Sequence, residues 1–406
     1  MINRRTHLRI ETLDRRVMLA GDVQIEIVED QLQILGDSLD NRFAIEQVSR
    51  RVADGIRVTP DESTSINGSK PGLPVIIAGS YQNAFARLGG GNDEFKWNAA
   101  RHRTSTVQVE TGEGDDFVIL ENLRSSDQLQ FSNISGEDHL SLSECRFDRG
   151  IQAIADGGAL DVTMQNVHAL DAFIEIDDIK GELLRSSVGI SDTKFEGFVR
   201  IDSESGPLDV TVENTRAASG YIKIGDIKGE SSRSSVGISD TKFEGFVRID
   251  SESGPLDVTV ENTRAASGYI KIGDIKGESS VSRVGVESKL DESDNVSTIL
   301  ITQSRFIGDL QIDSDSSTRT RLSDLRVDGR TNVDLGSGND SLAVLDSLFA
   351  GVAVFRGGTD LDVRSDSDGS LELDVFVLGG NRFRSEVLID QWEEVIDLDG
   401  APVANH

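Results

Sequence analysis

VGISDTKFEGFVRID occupies residues 188–202 and occurs again, unchanged, at 236–250. The identity runs further: segments 185–232 and 233–280 agree at all 48 positions. Segment 140–184 is a diverged copy, in which LSLSECRFDRGIQAI lies over the quoted stretch. ILITQSRFIGDLQID at 299–313 carries the pattern once more, and LAVLDSLFAGVAVF (342–355) and RFRSEVLID (382–390) are weaker echoes. Within one unit Val188 and Ile190, Val199 and Ile201, Val210 and Val212, and Ile222 and Ile224 alternate with other residues. Period two over short, β-branched runs predicts strands. Segments such as DSESGP and GDIKGESS predict the turns between them.

Val188, Val210 and Val236 mark equivalent points, the first step being slightly shorter than the second. The underlying period is therefore about 24 residues, two periods to each duplicated block. Short strands at that period predict an all-β parallel β-helix (β-solenoid) with coils of about 22–26 residues. Right-handed winding is the expectation carried from known β-helices. One coil alone cannot bury its apolar face; stacked coils bury a continuous core. Duplicating a whole number of coils keeps every inward side chain inward, whereas a slip of one residue turns them all outward. Phe147, Phe195 and Phe243 recur at a spacing of 48, and Phe306 follows after an insertion. They are expected to fill the core in every second layer. Asn166, Asn214 and Asn262 recur likewise and are expected to bridge turn backbones. The step from Phe243 to Phe306 is 63, or 48 + 15, which places an acidic loop near 287–297.

The organisation expected is a basic leader over 1–22, an N-terminal β segment or cap over 23–83, the β-helix over 84–380, and a C-terminal cap and tail over 381–406. FAIEQVSRRVADGI (43–56) fits either a short helix or two strands. EVLIDQWEEVIDL, with Trp392, is the candidate C-terminal cap.

The 406 residues include 40 Gly and only 5% aromatics, a mix suited to turn-rich β structure. The net charge of −30 disfavours nucleic acid and anionic membranes as partners and suits solubility or hard cations. Cys145 is the only cysteine, so an intrachain disulfide is excluded; a packed role is expected for it. No apolar run is long enough to span a membrane. Residues 1–20 differ in charge: Arg4, Arg5, Arg9, Arg15 and Arg16 stand against Glu11 and Asp14.

Three segments share the spacing Gly-x-Gly-x-Asp-x-apolar. They contain Gly89, Gly91 and Asp93; Gly112, Gly114 and Asp116; and Gly336, Gly338 and Asp340. Partial versions end at Asp138 and Asp360. Asp93, Asp116 and Asp138 follow one another at single-coil separations, which stacks the turns. Glycines permit positive φ and exposed carbonyls; carbonyl and carboxylate oxygens are the ligands Ca²⁺ accepts. These residues are candidate metal ligands and Ca²⁺ the candidate cofactor. The alternative is a set of Gly-Asp turns that only reverse the chain. The spacing resembles the calcium-binding nonapeptide repeat of RTX toxins, although here the motif occurs once per longer coil rather than in tandem.

LRIETLDRRVMLAGDV (8–23) resembles the N-terminal E-x-L-E-x-R-x-L-L-A motif of exported and surface proteins of planctomycetes. Glu11, Leu13, Arg15, Arg16, Leu19 and Ala20 match it, Asp14 stands for the usual Glu and Met18 for one usual Leu. LQILGDSLDNRFAI (32–45) and GEGDDFVIL (112–120) look like the turns that follow in such proteins. The resemblance implies export to the outside of the cell or its surface. The flat, repetitive, acidic faces of stacked coils suit a structural, adhesive or binding scaffold whose partners are envelope polymers or surface proteins.

The competing function is a carbohydrate-active β-helix enzyme, a polysaccharide lyase or hydrolase, since that fold hosts such activities. Its acids would come from residues such as Asp202, Glu204, Asp250 and Glu252. These occur as repeated copies, whereas a catalytic site is single. No nucleophile elbow, phosphate loop or zinc spacing is present. No catalytic residue is assigned.

Overall fold

The computed structural model describes residues 21–49, 54–99, 102–176, 185–226, 233–253, 255–272, 297–314, 317–336, 340–357, 375–392 and 394–397. The basic leader, the acidic loop near 287–297 and the C-terminal tail lie outside them. The protein is an all-β parallel solenoid, and among the described residues there is no helix. Each regular coil contributes a long strand to one file, a two-residue strand to a second, and another long strand to a third. In one coil these are Phe117–Glu121, Arg124–Ser125 and Leu129–Asn133.

Register follows the sequence repeat. Val162 pairs with Val188, Val188 with Val210, Val210 with Val236 and Val236 with Val258. Longer and shorter coils thus alternate. Val258 then pairs with Ile299, a longer coil enlarged by the insertion. That insertion is confined to one coil, and the parallel stack continues above it.

The core is built from columns. Ile190, Val212, Ile238, Val260 and Ile301 form one, and Ile174, Ile201, Ile222 and Ile249 another; all are buried. Burying such a side chain contributes about 1.5–3 kcal/mol. In the short-strand file residue size alternates: Phe147, Ala169, Phe195, Ala217, Phe243, Ala265, Phe306. The third file alternates in phase with it: Val199, Gly220, Val247, Gly268, Leu310. Each Phe–Val coil is followed by an Ala–Gly coil, and the ring leans into the space that the glycine leaves. A methyl placed on Gly220 would sit 2.7 Å from the Phe243 ring, and one on Gly268 2.6 Å from the Phe306 ring. This is why the duplicated block is two coils and not one.

The first rung begins earlier than residue 84. Gln31–Leu35 and Arg42–Ser49 already pair in parallel with the coil above. They are covered by antiparallel partners: Gly21–Val28 on the former, and Asp54–Pro60 followed by Val75–Ala78 on the latter. On either side of 50–53, which lie outside the described residues, Arg42–Ser49 and Asp54–Pro60 are therefore antiparallel strands, not a helix; the ladder to the coil above outweighs the helical spacing of Ile45, Val48 and Ile56. At the far end Val387–Asp390 and Glu394–Asp397 continue the files as a last rung. Trp392, between these two strands, is buried against the coil below, stacked 5.2 Å from Phe376 and donating Nε1–H to the Phe355 carbonyl at 3.2 Å.

Candidate functional site

The Gly-Asp turns form the corner between the third file and the first. Gly89, Gly112 and Gly136 take φ of 113°, 113° and 112°, and Gly91 and Gly114 take 93° and 119°. A methyl on Gly112 would lie 1.8 Å from the Gly89 carbonyl oxygen, and one on Gly114 2.2 Å from that of Gly91. Stacking of corner on corner therefore demands glycine on two counts, conformation and clearance.

Asp93, Asp116 and Asp138 fall in one file, pointing inward, and all are buried. Each caps the coil before it. The Asp93 carboxylate accepts the Asn41 amide at 2.6 Å, Asp116 that of Asp93 at 2.8 Å, and Asp138 that of Asp116 at 3.0 Å. Asp340 does the same for Thr318 at 2.6 Å, far along the solenoid. Between them the file continues with serine: Ser186 Oγ accepts the Leu160 amide at 3.0 Å and Ser234 Oγ that of Leu208 at 2.9 Å. The shared work of aspartate and serine is to satisfy a buried backbone donor. Of the other sequence candidates, Gly336 lies in the described chain with φ of 69°, while Gly338 and Asp360 lie outside the described residues.

The second carboxylate oxygens of Asp93 and Asp116, and the side-chain oxygens of Asn41 and Asn133, have no hydrogen-bond partner. Burial pushes Asp93 and Asp138 up to about 8 from an ordinary 3.8 and raises Asp116 as well; neighbouring carboxylates, Asp116, Asp40 and Asp115, add to the effect. Among the described residues no group of three or more His, Cys, Asp or Glu is arranged to hold a metal ion.

Replacing Asp116 by Ala strands the Asp93 amide and is expected to cost about 1–3 kcal/mol in urea unfolding. Asp116→Ser, which repeats the solution used at 186 and 234, is expected to cost less. A carboxyl whose folded pKa exceeds its unfolded one adds stability at pH below about 4 that is lost as pH rises toward about 8. Wild-type stability is thus expected to fall across that interval, and Asp116→Asn to flatten the fall. A bound cation reverses the sign by holding the carboxylates ionised, so melting at pH about 8 with and without millimolar Ca²⁺ separates the two cases.

The next corner, between the first and second files, carries one non-glycine residue with φ near 50° in each of ten successive coils. In order these are Asn122, Glu144, Asn166, Asp192, Asn214, Asp240, Asn262, Gln303, Asp324 and Asp346. The recurrent asparagines belong to this set. Their backbone amides bond across the coils (Asn166 to the Ser191 carbonyl, 3.2 Å), and the side chains of Asn214 and Asn262 donate to Asp192 and Asp240. Asn and Asp accept this left-handed conformation most readily. The following position is often a buried Thr or Ser that caps the coil below, as Thr241 Oγ1 does for the Thr215 amide at 3.3 Å.

Two places beyond nine of these ten stands an Arg, Lys or His, a regularity not apparent from composition; the exception is Asp346, followed by Leu348. Arg103, Arg124, Arg146, His168, Lys194, Arg216, Lys242, Arg264, Arg305 and Arg326 pair with one another in consecutive coils. Except at Arg103, the offset of two from an Asn, Asp, Glu or Gln is the signal that would have found the row. The net charge of −30 hid it.

Of the acids named as enzyme candidates, Glu204 is exposed and the other three are paired. Arg200 and Arg248 bond the buried Asp202 and Asp250. The same guanidiniums lie between Phe173, Tyr221 and Tyr269, 5.0–5.8 Å from the ring centroids. Cation–π contacts thus occupy these ring faces. Glu252 pairs with Lys223 at 2.6 Å. Cys145 is buried, its thiol pushed up to about 11 by burial, consistent with packing. No family model, curated protein or solved structure matches this chain.

Proposed function

We propose that the chain is a non-enzymatic scaffold, exported to the cell surface, whose solenoid presents repeated lateral faces to envelope polymers or surface proteins. The observation that carries this is the duplication of surroundings along with sequence. Asp202 and Asp250 are held by the same Arg partner in two adjacent copies, as befits a repeating surface and not a single reaction centre. The leader-like stretch at 8–23 supports export. Multivalent, individually weak contacts suit such a rod. Protease shaving of intact cells, with a cytoplasmic control, tests the location; a protein protected until lysis overturns it.

One observation favours a second reading, the carbohydrate-active enzyme. A shallow groove of about 460 Å³ on the first coils is lined by Ala44, Glu46, Lys96, Asn98, Ile119 and Glu121, and its two acids sit two coils apart. Incubation with neutral and acidic polysaccharides is expected to release no new chain ends. Release that disappears in Glu46→Gln or Glu121→Gln would establish the enzyme instead.

A further inference from the structure

The outward side of the third file changes character across the duplicated block. Three columns run along it there, and each alternates from coil to coil. The first holds Phe198, Ser219, Phe246 and Ser267, the second Arg200, Tyr221, Arg248 and Tyr269, and the third Asp202, Lys223 and Asp250. Phe198 and Phe246 meet across Ser219 with ring centroids 5.7 Å apart, and Phe246 is 40% exposed. Guanidiniums already occupy the ring faces of the second column, which leaves ring edges for a partner. Exposed aromatics beside Arg and Tyr are the residue types that interface centres favour.

Charge singles out the same face. A net charge of −30 drives copies of the chain apart, yet here Arg200, Lys223 and Arg248 stand against Asp202, Glu204, Asp250 and Glu252. Each cation is already paired within the chain, Arg200 with Asp202, Arg248 with Asp250 and Lys223 with Glu252. A second surface can therefore approach without desolvating a free cation.

We propose that this face pairs with the same face of a second copy of the chain about a two-fold axis. The axis lies along the strands, between the coil of Tyr221 and that of Arg248, so the two solenoids run antiparallel. Such a rotation keeps each column opposite itself and reverses the order of the coils. The columns alternate with a period of two coils and the axis falls between coils, so each member meets its complement. Phe246 faces the second copy's Ser219 and Phe198 its Ser267, ring against gap. Arg248 faces the second copy's Tyr221 and Arg200 its Tyr269, while Lys223 faces its Asp250. Moving the axis onto the Tyr221 coil would instead set Phe198 against the second copy's Phe246, Arg200 against its Arg248 and Asp202 against its Asp250. Register is therefore specified, and one patch serves both copies, as an isologous dimer requires. The pairing goes beyond the scaffold reading, since it specifies an assembly and leaves the other two files open. Four coils at ~4.8 Å and seven residues at ~3.3 Å span roughly 20 Å by 23 Å. That is the low end for a specific interface, so association is expected in the micromolar range.

Sedimentation equilibrium of the whole chain at about 1–100 µM tests the pairing, and a monomer–dimer equilibrium is expected. Phe246→Asp is expected to weaken it at least about tenfold. Phe117→Asp removes an equally exposed ring and adds the same charge on the first file, and is expected to leave it unaltered. Ser219→Phe fills a gap and Phe246→Ser empties a ring position, and each alone is expected to weaken the dimer. Combined, they exchange ring and gap on both faces and are expected to restore it to within about twofold of wild type. The inference falls if the chain stays monomeric throughout, or if Phe117→Asp weakens association as much as Phe246→Asp. It falls equally if the exchange is no tighter than the single variants, or if assembly runs on past the dimer, because a two-fold contact closes. Melting at about 0.5 µM, where the dimer is dissociated, separates lost pairing from lost fold. Phe246→Asp is expected to melt with wild type there, and a much lower melting temperature would assign the ring to the fold and overturn the inference. These readouts concern association in solution, so failure here leaves the scaffold's location and ligands to their own test.

Discussion

Phe243→Ala is expected to lower stability by about 3–5 kcal/mol, near the top of the range for core truncations. The ring is buried and sits over a position with no side chain, Gly220, in the coil below. Collapse of that coil onto the vacated space is opposed by the backbone ladders on either side, so most of the cavity persists. Gly220→Ala is expected to be destabilising for the opposite reason. Its methyl would lie 2.7 Å from a Phe243 ring carbon, and overpacking costs about 1–3 kcal/mol. In the double variant the new methyl enters the space the ring has left, so the two costs are expected not to add. A coupling of at least about 1 kcal/mol in a double-mutant cycle, read from urea midpoints, is the expected result. Simple additivity would show that glycine is at 220 for the backbone alone.

That coupling also shows what was legible in the sequence. Alternating Val and Ile marked the strands, the steps between equivalent valines marked the coil, and the regular return of Phe marked its second-layer placement. The glycine opposite each Phe was not legible, because register between coils is needed to see that Gly220 lies beneath Phe243. The Gly-Asp corner was legible as a stacked file of carboxylates. Its work as an amide cap was not, since the clue lay in Ser186 and Ser234, which share no motif with it and are related only through the pairing of strands. The stretch 43–56 was ambiguous because its apolar residues satisfy both periods; its cross-strand partner, Val75–Ala78, lies too far along the chain for a local pattern to decide. The cation row required the same step from linear order to register.

The sharpest consequence of the two-coil unit concerns deletion. Removing 185–232 excises one whole copy of the duplication and creates no new junction, because the chain from Arg233 onward repeats what was removed. Ala169 would meet Phe243, as it now meets Phe195. The shortened chain is expected to fold with an unchanged β signal per residue and a urea slope reduced in proportion to the surface lost. Removing only 210–235, a single coil bounded by the paired valines Val210 and Val236, is a smaller excision with a larger expected effect. It deletes the Ala217 and Gly220 layer and sets the Phe195 coil directly against the Phe243 coil, ring on ring and Val199 on Val247. With no small layer left to receive the Phe243 ring, the strain of overpacking adds to the lost contacts, several kcal/mol in all. In a solenoid, where stability is a sum over neighbouring coils, that cost stays local, so limited proteolysis is expected to cut first near the new junction. Equal stability of the two deletions would mean that any coil can follow any other, and the alternation of large and small layers would lose its physical basis.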